Sequence, residues 1–447
     1  MKKRLLIVCC ALCSLMACNS KTDTGTTLSG LKKADFDTTV SGKKVALYEL
    51  KNKNGVEVAI TNYGGRIVSI WVPDRNGKFG DIMLAHSSIA DYIADQGGNF
   101  GALIGRYGNR INQGRFILDG QEYQLPQNNY GHCLHGGDTG FHHRIWDATQ
   151  PNAQTLVLSC VSPDGEAGFP GTLKTTVTYS LSDDNALQIN YEAETDKPTI
   201  VNLTNHAYFN LSGDGKTTIL DHQLTLNADY YTPVDSTFMT TGEIAPVEGT
   251  PMDFRTATAI GARIDNYDFE QLKNGHGYDH NYVLNTQGDI SQVAAKVYDP
   301  KSGRTLEVYT NEPGIQFYAG NFLDGTVKGK HGIYYPLRSA LCLETHGISG
   351  RFASRLVQKY GSDTQYVLEH EPYRMILEIE GIGFKTADQM ALAFGLDPSS
   401  EERLVAGMTY VLSEMTGNGH VCIPDTELIR RTASVLRADS LQLRNIL

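Results

Sequence analysis

From Lys43 onward, apolar and polar positions alternate in short bursts and not in the turns of a helix. Val45, Leu47 and Glu49 stand against Ala46, Tyr48 and Leu50, and residues 56–60 and 67–72 follow around a turn at Asn62-Tyr63-Gly64-Gly65. Successive side chains of an extended chain point to opposite faces, so a period of two predicts a strand. Comparable runs recur at 115–118, 155–162, 172–180, 186–194, 200–205, 222–227, 293–298, 305–310, 314–318 and 340–345, with Gly, Pro, Asn and Asp clustered between them. No helical period is sustained over this stretch, which predicts a mainly β fold built as a large antiparallel sandwich. The lack of a short internal repeat argues against a propeller.

Past Thr345 the period changes. Helical patterns cover 352–360, 364–369, 373–377 and 404–414, which predicts a small all-α segment over 347–447. Within it, Glu380-Gly381-Ile382-Gly383-Phe384-Lys385 sets a Gly-apolar-Gly turn between two short amphipathic helices, the form of a helix-hairpin-helix. Backbone N–H groups of such a hairpin can hold a DNA phosphate, which makes Gly381, Gly383 and Lys385 the candidate contacts. Charge argues the other way. Residues 347–447 carry 10 Lys/Arg and 13 Asp/Glu, a net −3, so attraction for DNA is weak and no nucleic-acid partner is expected. The chain has no Gly-x-x-x-x-Gly-Lys-Ser/Thr loop, so this segment alone is no nucleotide-driven motor.

At the other end, Lys2, Lys3 and Arg4 precede an apolar run over 5–17, too short to cross a bilayer as a mature helix and suited to a signal-peptide core. The run closes on Leu15-Met16-Ala17-Cys18, which resembles the bacterial lipoprotein signal, where the cysteine is lipidated and becomes the first mature residue. Residues 1–18 then form a signal peptide, and 19–30, rich in Ser, Thr and Gly, a flexible tether with little to bury. The expected location is membrane-anchored on the periplasmic or cell-surface side, with the membrane met only through the lipid anchor. An ordinary cleaved signal peptide is the alternative.

Composition adds limits. A chain of 447 residues suits two domains, and its formal charge of −11 gives no global attraction for nucleic acid or anionic lipid. Four of the eight cysteines lie before residue 19, and Cys133, Cys160, Cys342 and Cys422 are scattered without metal-ligand spacing, which predicts neither a zinc site nor a disulfide framework.

Four segments carry polar residues that a plain strand or turn does not need. Gly105-Arg106-Tyr107-Gly108-Asn109-Arg110-Ile111 offers Asn109 and Arg110 as donors to hydroxyl oxygens, beside glycines that let backbone approach closely. His132-Cys133-Leu134-His135-Gly136-Gly137 holds His135 against two glycines, a pattern that plain turns also show. Over 201–210 a period of two puts Asn202, Thr204, His206 and Tyr208 on one polar, ligand-like face. In Leu341-Cys342-Leu343-Glu344-Thr345, Glu344 shares its face with Ala340 and Cys342, small residues that leave room for a ring-sized ligand. Asp279, in His276-Gly277-Tyr278-Asp279-His280-Asn281, is either a site residue or a turn former.

Taken as a set, Arg110, His135, His206, Asp279, Gln316 and Glu344 in this order and context resemble the aldose 1-epimerase (galactose mutarotase) family over about residues 31–345. Leu134-His135-Gly136-Gly137, Asn205-His206, Tyr278-Asp279-His280-Asn281 and Gly314-Ile315-Gln316-Phe317-Tyr318 carry the resemblance. It implies a large antiparallel β-supersandwich and interconversion of the α and β anomers of a free monosaccharide of the glucose/galactose type. It implies no cofactor for the chemistry and no assigned metal ligand, with a bound structural cation left open. By the same resemblance Glu344 is the general base, His206 is the acid that protonates the ring oxygen, and Asn109, Arg110, His135, Asp279 and Gln316 contact the substrate.

After Glu344-Thr345 the family continues with a Pro/Asn-rich loop and a final strand that are missing from this sequence. Residues 347 to about 435 resemble instead the helix-hairpin-helix region of RecD-like DNA helicases. The expected organisation is a sandwich over 31–346 without its usual last strand, joined with no linker to helical 347–447, as in a recombined or chimeric gene. A sugar-binding protein whose catalysis is impaired by a mobile Glu344 is the competing expectation.

Overall fold

Where one face of a strand meets solvent, the alternation of the sequence becomes an alternation of burial. In Leu173–Leu181 the side chains of Leu173, Thr175, Val177, Tyr179 and Leu181 are buried while Lys174 is exposed. In the computed structural model, which describes residues 25–347 except 96, and 359–360, 364–378, 383–393, 396–417 and 423–446, this strand lies inside a four-stranded antiparallel meander. Its neighbours are Asp147–Asn152, Thr155–Ser162 and Leu187–Thr195, in sequence order across the sheet. A second meander joins Leu47–Lys51, Glu57–Thr61, Arg66–Pro73 and Phe79–Asp81.

Two further antiparallel sheets complete the sandwich. One runs Thr258–Ala259, Gln223–Leu226, Ala295–Tyr298, Thr305–Val308. The other has five strands in the order Ala245–Pro246, Ala228–Thr232, Asp279–Leu284, Gly314–Tyr318, Cys342–His346. Ile60, Ile67, Leu158, Val177, Tyr179, Leu224, Val297, Ile315, Phe317 and Leu343, drawn from all four sheets, share one buried cluster. Each such large apolar side chain contributes about 1.5–3 kcal/mol on burial, which is what holds the layers together.

The five-stranded sheet positions the chemistry. Register pairs Glu344 with Gln316 and Gln316 with Asn281, while Cys342 pairs with Tyr318 and Tyr318 with Asp279. Directly opposed residues point to the same side, so Asp279, Asn281, Gln316, Tyr318, Cys342 and Glu344 share one face. Tyr282, Ile315, Phe317 and Leu343 belong to the opposite face and anchor it in the apolar cluster.

The structure differs from the sequence pattern in several places. Residues 200–205 are not one strand: only Thr204–His206 pairs, with Ala102–Ile104, and Asn202 makes a single parallel bridge to Tyr107. Asp279 begins the strand Asp279–Leu284 and is no turn former. Asp147–Asn152 and Ala228–Thr232 are strands that the alternation does not reveal, because Asp, Thr, Gln and Asn dominate the first and both faces of the second are largely covered.

Beyond residue 359 the described segments are helices: Thr364–His370, Arg374–Glu378, Phe384–Ala393, Glu401–Gly417, Asp425–Leu436 and Ser440–Arg444. Phe384, Leu404, Met408, Ile429, Leu436 and Leu443 form their main buried cluster, and Arg403 donates to both carboxylate oxygens of Asp388 at 2.8 and 2.9 Å. Most of the expected helix over 352–360 lies outside the described residues, as do Gly381, the Lys385 side chain, Cys18 and Cys422. Gly383 is exposed immediately before Phe384–Ala393.

Candidate active site

Glu344 and His206 meet although 138 positions separate them. The Glu344 strand, Cys342–His346, is last in its sheet, paired along one edge to Gly314–Tyr318 and pinned at its start by reciprocal backbone bonds between Leu341 and Phe209. That bridge brings the His206 segment alongside, and His206 Nε2 lies 3.4 Å from Glu344 Oε1. Glu344 is only 3 % exposed, so a loose, mobile base finds no support in the geometry.

Four of the five expected substrate contacts form one network around this pair. Gln316 Nε2 donates to Asp279 Oδ1 at 2.6 Å, and Asn109 Nδ2 donates to Gln316 Oε1 at 3.1 Å. The Asn109 backbone N–H donates to His135 Nδ1 at 3.1 Å, and the His135 ring meets the His206 ring edge-on at 5.3 Å between centroids. Arg110, the fifth, donates to Asn129 Oδ1 through Nε and Nη2 and lies over the Phe238 ring at 5.0 Å. Its charge still reaches Asp279 and Glu344 electrostatically.

The His-Gly-Gly segment is more than a surface turn. His135, Gly136 and Gly137 all have positive φ, and a Cβ at Gly136 would lie 2.1 Å from the Gly105 carbonyl oxygen. Glycine there lets the turn press against the Gly105 backbone, which aims the His135 ring into the site.

Burial sets the protonation states. It raises the Glu344 carboxyl well above its ordinary range, with Asp279 adding to the rise and Arg110 opposing it. Burial lowers His206 to about 4, and lowers His135 well below 6.5 with His206 as the next cause. Asp279 is also raised, first by burial, against Arg110 and the Gln316 bond. The pair therefore favours its uncharged form, with its mobile proton on Glu344. The sequence suggests a histidine near 6.5, and enclosure is what moves it.

One ring nitrogen each of His135 and His206 and one oxygen of Glu344 lie within 4.8 Å of one another, a spacing a metal ion could use. The donor chemistry does not fit. A neutral His135 that accepts the Asn109 N–H at Nδ1 carries its own proton on Nε2 and so has no lone pair left to offer. His135 is a donor to the cavity, suited to a hydroxyl oxygen.

Some residues here carry no role in the sequence reading. Asn281 and His346 line, with Asn109 and Arg110, a small cleft that adjoins the Glu344–His206 pair without including it, and the Asn281 side-chain amide makes no hydrogen bond among the described residues. Asn281 stands two residues from Asp279 on the same strand face, and that spacing is the signal that could have found it. Tyr318 closes one wall, 6.4 Å from the His206 ring. Cys342 does not leave open room above the strand, because its Sγ packs 3.5 Å from His206 Nδ1. Cys133, Cys160 and Cys342 are free and buried.

A buried carboxyl–imidazole pair ringed by polar side chains, on this fold, places the chain in the galactose mutarotase-like supersandwich class. The chain belongs to the aldose 1-epimerase family, whose sequence model matches residues 46–355, and it is an isomerase. It is 46% identical over 304 residues to galactose mutarotase of Mus musculus, covering 68% of this chain and 86% of that one. To aldose 1-epimerase of Escherichia coli (strain K12) it is 39% identical over 286 residues, covering 64% and 81%. The crystal structure of galactose 1-epimerase from Lactobacillus acidophilus matches with a TM-score of 0.62 at 30% identity, covering 70% of this chain and 89% of that one. A second family model, the ATP-dependent RecD2 DNA helicase HHH domain, matches residues 338–422, so the two matches overlap across the Glu344 strand.

Proposed function

We propose that Glu344 and His206 carry the anomer interconversion between them by sharing one mobile proton. Glu344 as carboxylate takes the proton from the anomeric hydroxyl, and His206 as imidazolium gives a proton to the ring oxygen as the C1–O5 bond breaks. The open-chain aldehyde then faces an uncharged pair. Rotation about C1–C2 and reclosure from the other face, with the proton transfers reversed, yield the second anomer. The observation that carries this reading is the 3.4 Å approach of His206 Nε2 to Glu344 Oε1 inside a buried site. The burial that disfavours the charged pair favours the proton transfer that opens the ring. Asn109, Arg110, His135, Asp279 and Gln316 hold the sugar hydroxyls, and orienting one ring against fixed acid and base removes much of the entropic cost of the reaction.

A free hexose of the galactose or glucose type is the proposed substrate, supported by the galactose mutarotases and aldose 1-epimerase to which the chain is similar. Exchange NMR of equilibrated D-galactose tests the activity: the protein should produce cross-peaks between the α and β anomeric protons, and line-broadening without exchange would mean binding alone. We propose also that residues 1–18 direct export and that Cys18 is lipidated, supported by Leu15-Met16-Ala17-Cys18 after a short apolar run. Radiolabelled palmitate should enter the wild type and not Cys18→Ser; equal labelling of both would overturn it.

A further inference from the structure

Cys342 and Glu344 are two residues apart on one strand, so the pleat turns both toward the same side. Between them they meet both nitrogens of the His206 ring: Sγ lies 3.5 Å from Nδ1, and Glu344 Oε1 lies 3.4 Å from Nε2. Cys342 is fully buried, and Tyr208 stacks on the ring at 5.0 Å between centroids, which leaves the imidazole little freedom to turn. The other groups around it are the backbone carbonyl of His206 itself, a second acceptor within reach of the ring, the His135 and Tyr318 rings at 5.3 and 6.4 Å, and more distantly the Arg66 charge.

We propose that Cys342 is a positioning residue for the reaction: its sulfur accepts the Nδ1–H of His206 and so keeps the Nε2 lone pair aimed at Glu344 and the sugar. This inference rests on the acid–base roles assigned above to Glu344 and His206. For His206 to give up a proton at Nε2 and take it back, the neutral ring must keep its other proton at Nδ1. That proton needs an acceptor that does not itself titrate. Burial raises the Cys342 thiol well above its ordinary range, so it stays uncharged. A neutral sulfur orients the ring without stabilising the imidazolium as a carboxylate in the same place would. The resting relay then runs from the Glu344 O–H to Nε2, and from Nδ1–H to the Cys342 sulfur. His135 is its counterpart, because the Asn109 N–H at Nδ1 leaves it the opposite tautomer with Nε2–H facing the cavity. The two neighbouring histidines thereby present one acceptor and one donor.

The test begins with the full chain, whose anomerisation rate is measured first; an inactive wild type would overturn the functional reading itself. Given an active wild type, Cys342→Ala should lower kcat about tenfold, the size of one modest hydrogen bond lost, with KM nearly unchanged. Cys342→Ser should recover most of that loss, since its hydroxyl can accept the same N–H. Equal activity of Cys342→Ala and wild type, or an equal loss in both variants, would overturn the proposal. Long-range ¹H–¹⁵N spectra of the wild type, with the His206 signals assigned by their loss in His206→Asn, supply a readout that does not depend on either Cys342 variant folding. They should show Nδ1 protonated and Nε2 bare at neutral pH, and the reverse pattern refutes the tautomer.

Discussion

A histidine of ordinary pKa changes charge close to neutrality, but burial moves His206 to about 4 while lifting Glu344 above the carboxylate range. In the mechanism proposed, this pair works with one shared proton, so activity should fall when a second proton enters at low pH. The acid limb of kcat/KM is expected near pH 4, and a limb between pH 6 and 7 would mean His206 is not the enclosed group described. At this scale the sequence singled out the residues to which the chemistry is assigned in the proposal, because Glu344, His206, Asp279 and Gln316 sit in distinctive local contexts. It could not show their protonation. That depends on enclosure by the Gly314–Tyr318 strand, Tyr318 included, which lies far along the chain from His206 and Tyr208. Cys342 is a case of the same limit, since a small residue reads as empty space until its neighbour across the fold is known.

Strands that face solvent on one side, such as Thr155–Ser162 and Leu173–Leu181, kept their alternation and were legible. Asp279–Leu284 was not, because it is covered on both faces and carries polar residues on the side that forms the site. The segment Thr204–His206 is only three residues long, and its position comes from pairing with Ala102–Ile104, which no local pattern announces. The turn at His135 to Gly137 shows how an element with no regular structure sets the site. Gly136→Ala should cost more than about 1 kcal/mol, from a positive φ and a contact with the Gly105 carbonyl. It should also lower kcat/KM as His135 shifts. Thermal melting with kinetics checks both, and an unchanged melting temperature would show the turn is slack.

The chain as a whole joins a sandwich, whose largest apolar cluster draws on all four main sheets, to helices built around clusters of their own. The change of hydrophobic period after Thr345 made that division legible, and the overlap of the two family matches over 338–355 falls on the same stretch. The Glu344 strand therefore belongs to the site on one side and to the seam on the other. Its backbone pairing to Gly314–Tyr318 and the bond from the Gly347 N–H to Asn202 Oδ1 at 2.9 Å hold it on the sandwich. Polarimetry of freshly dissolved α-D-galactose with the full chain tests most directly whether this arrangement is a working isomerase. The wild type should speed the approach to the equilibrium rotation, while Glu344→Gln and His206→Asn should each lose about 10² to 10⁴ of that rate. A wild type no faster than buffer, or variants as fast as wild type, would contradict the account.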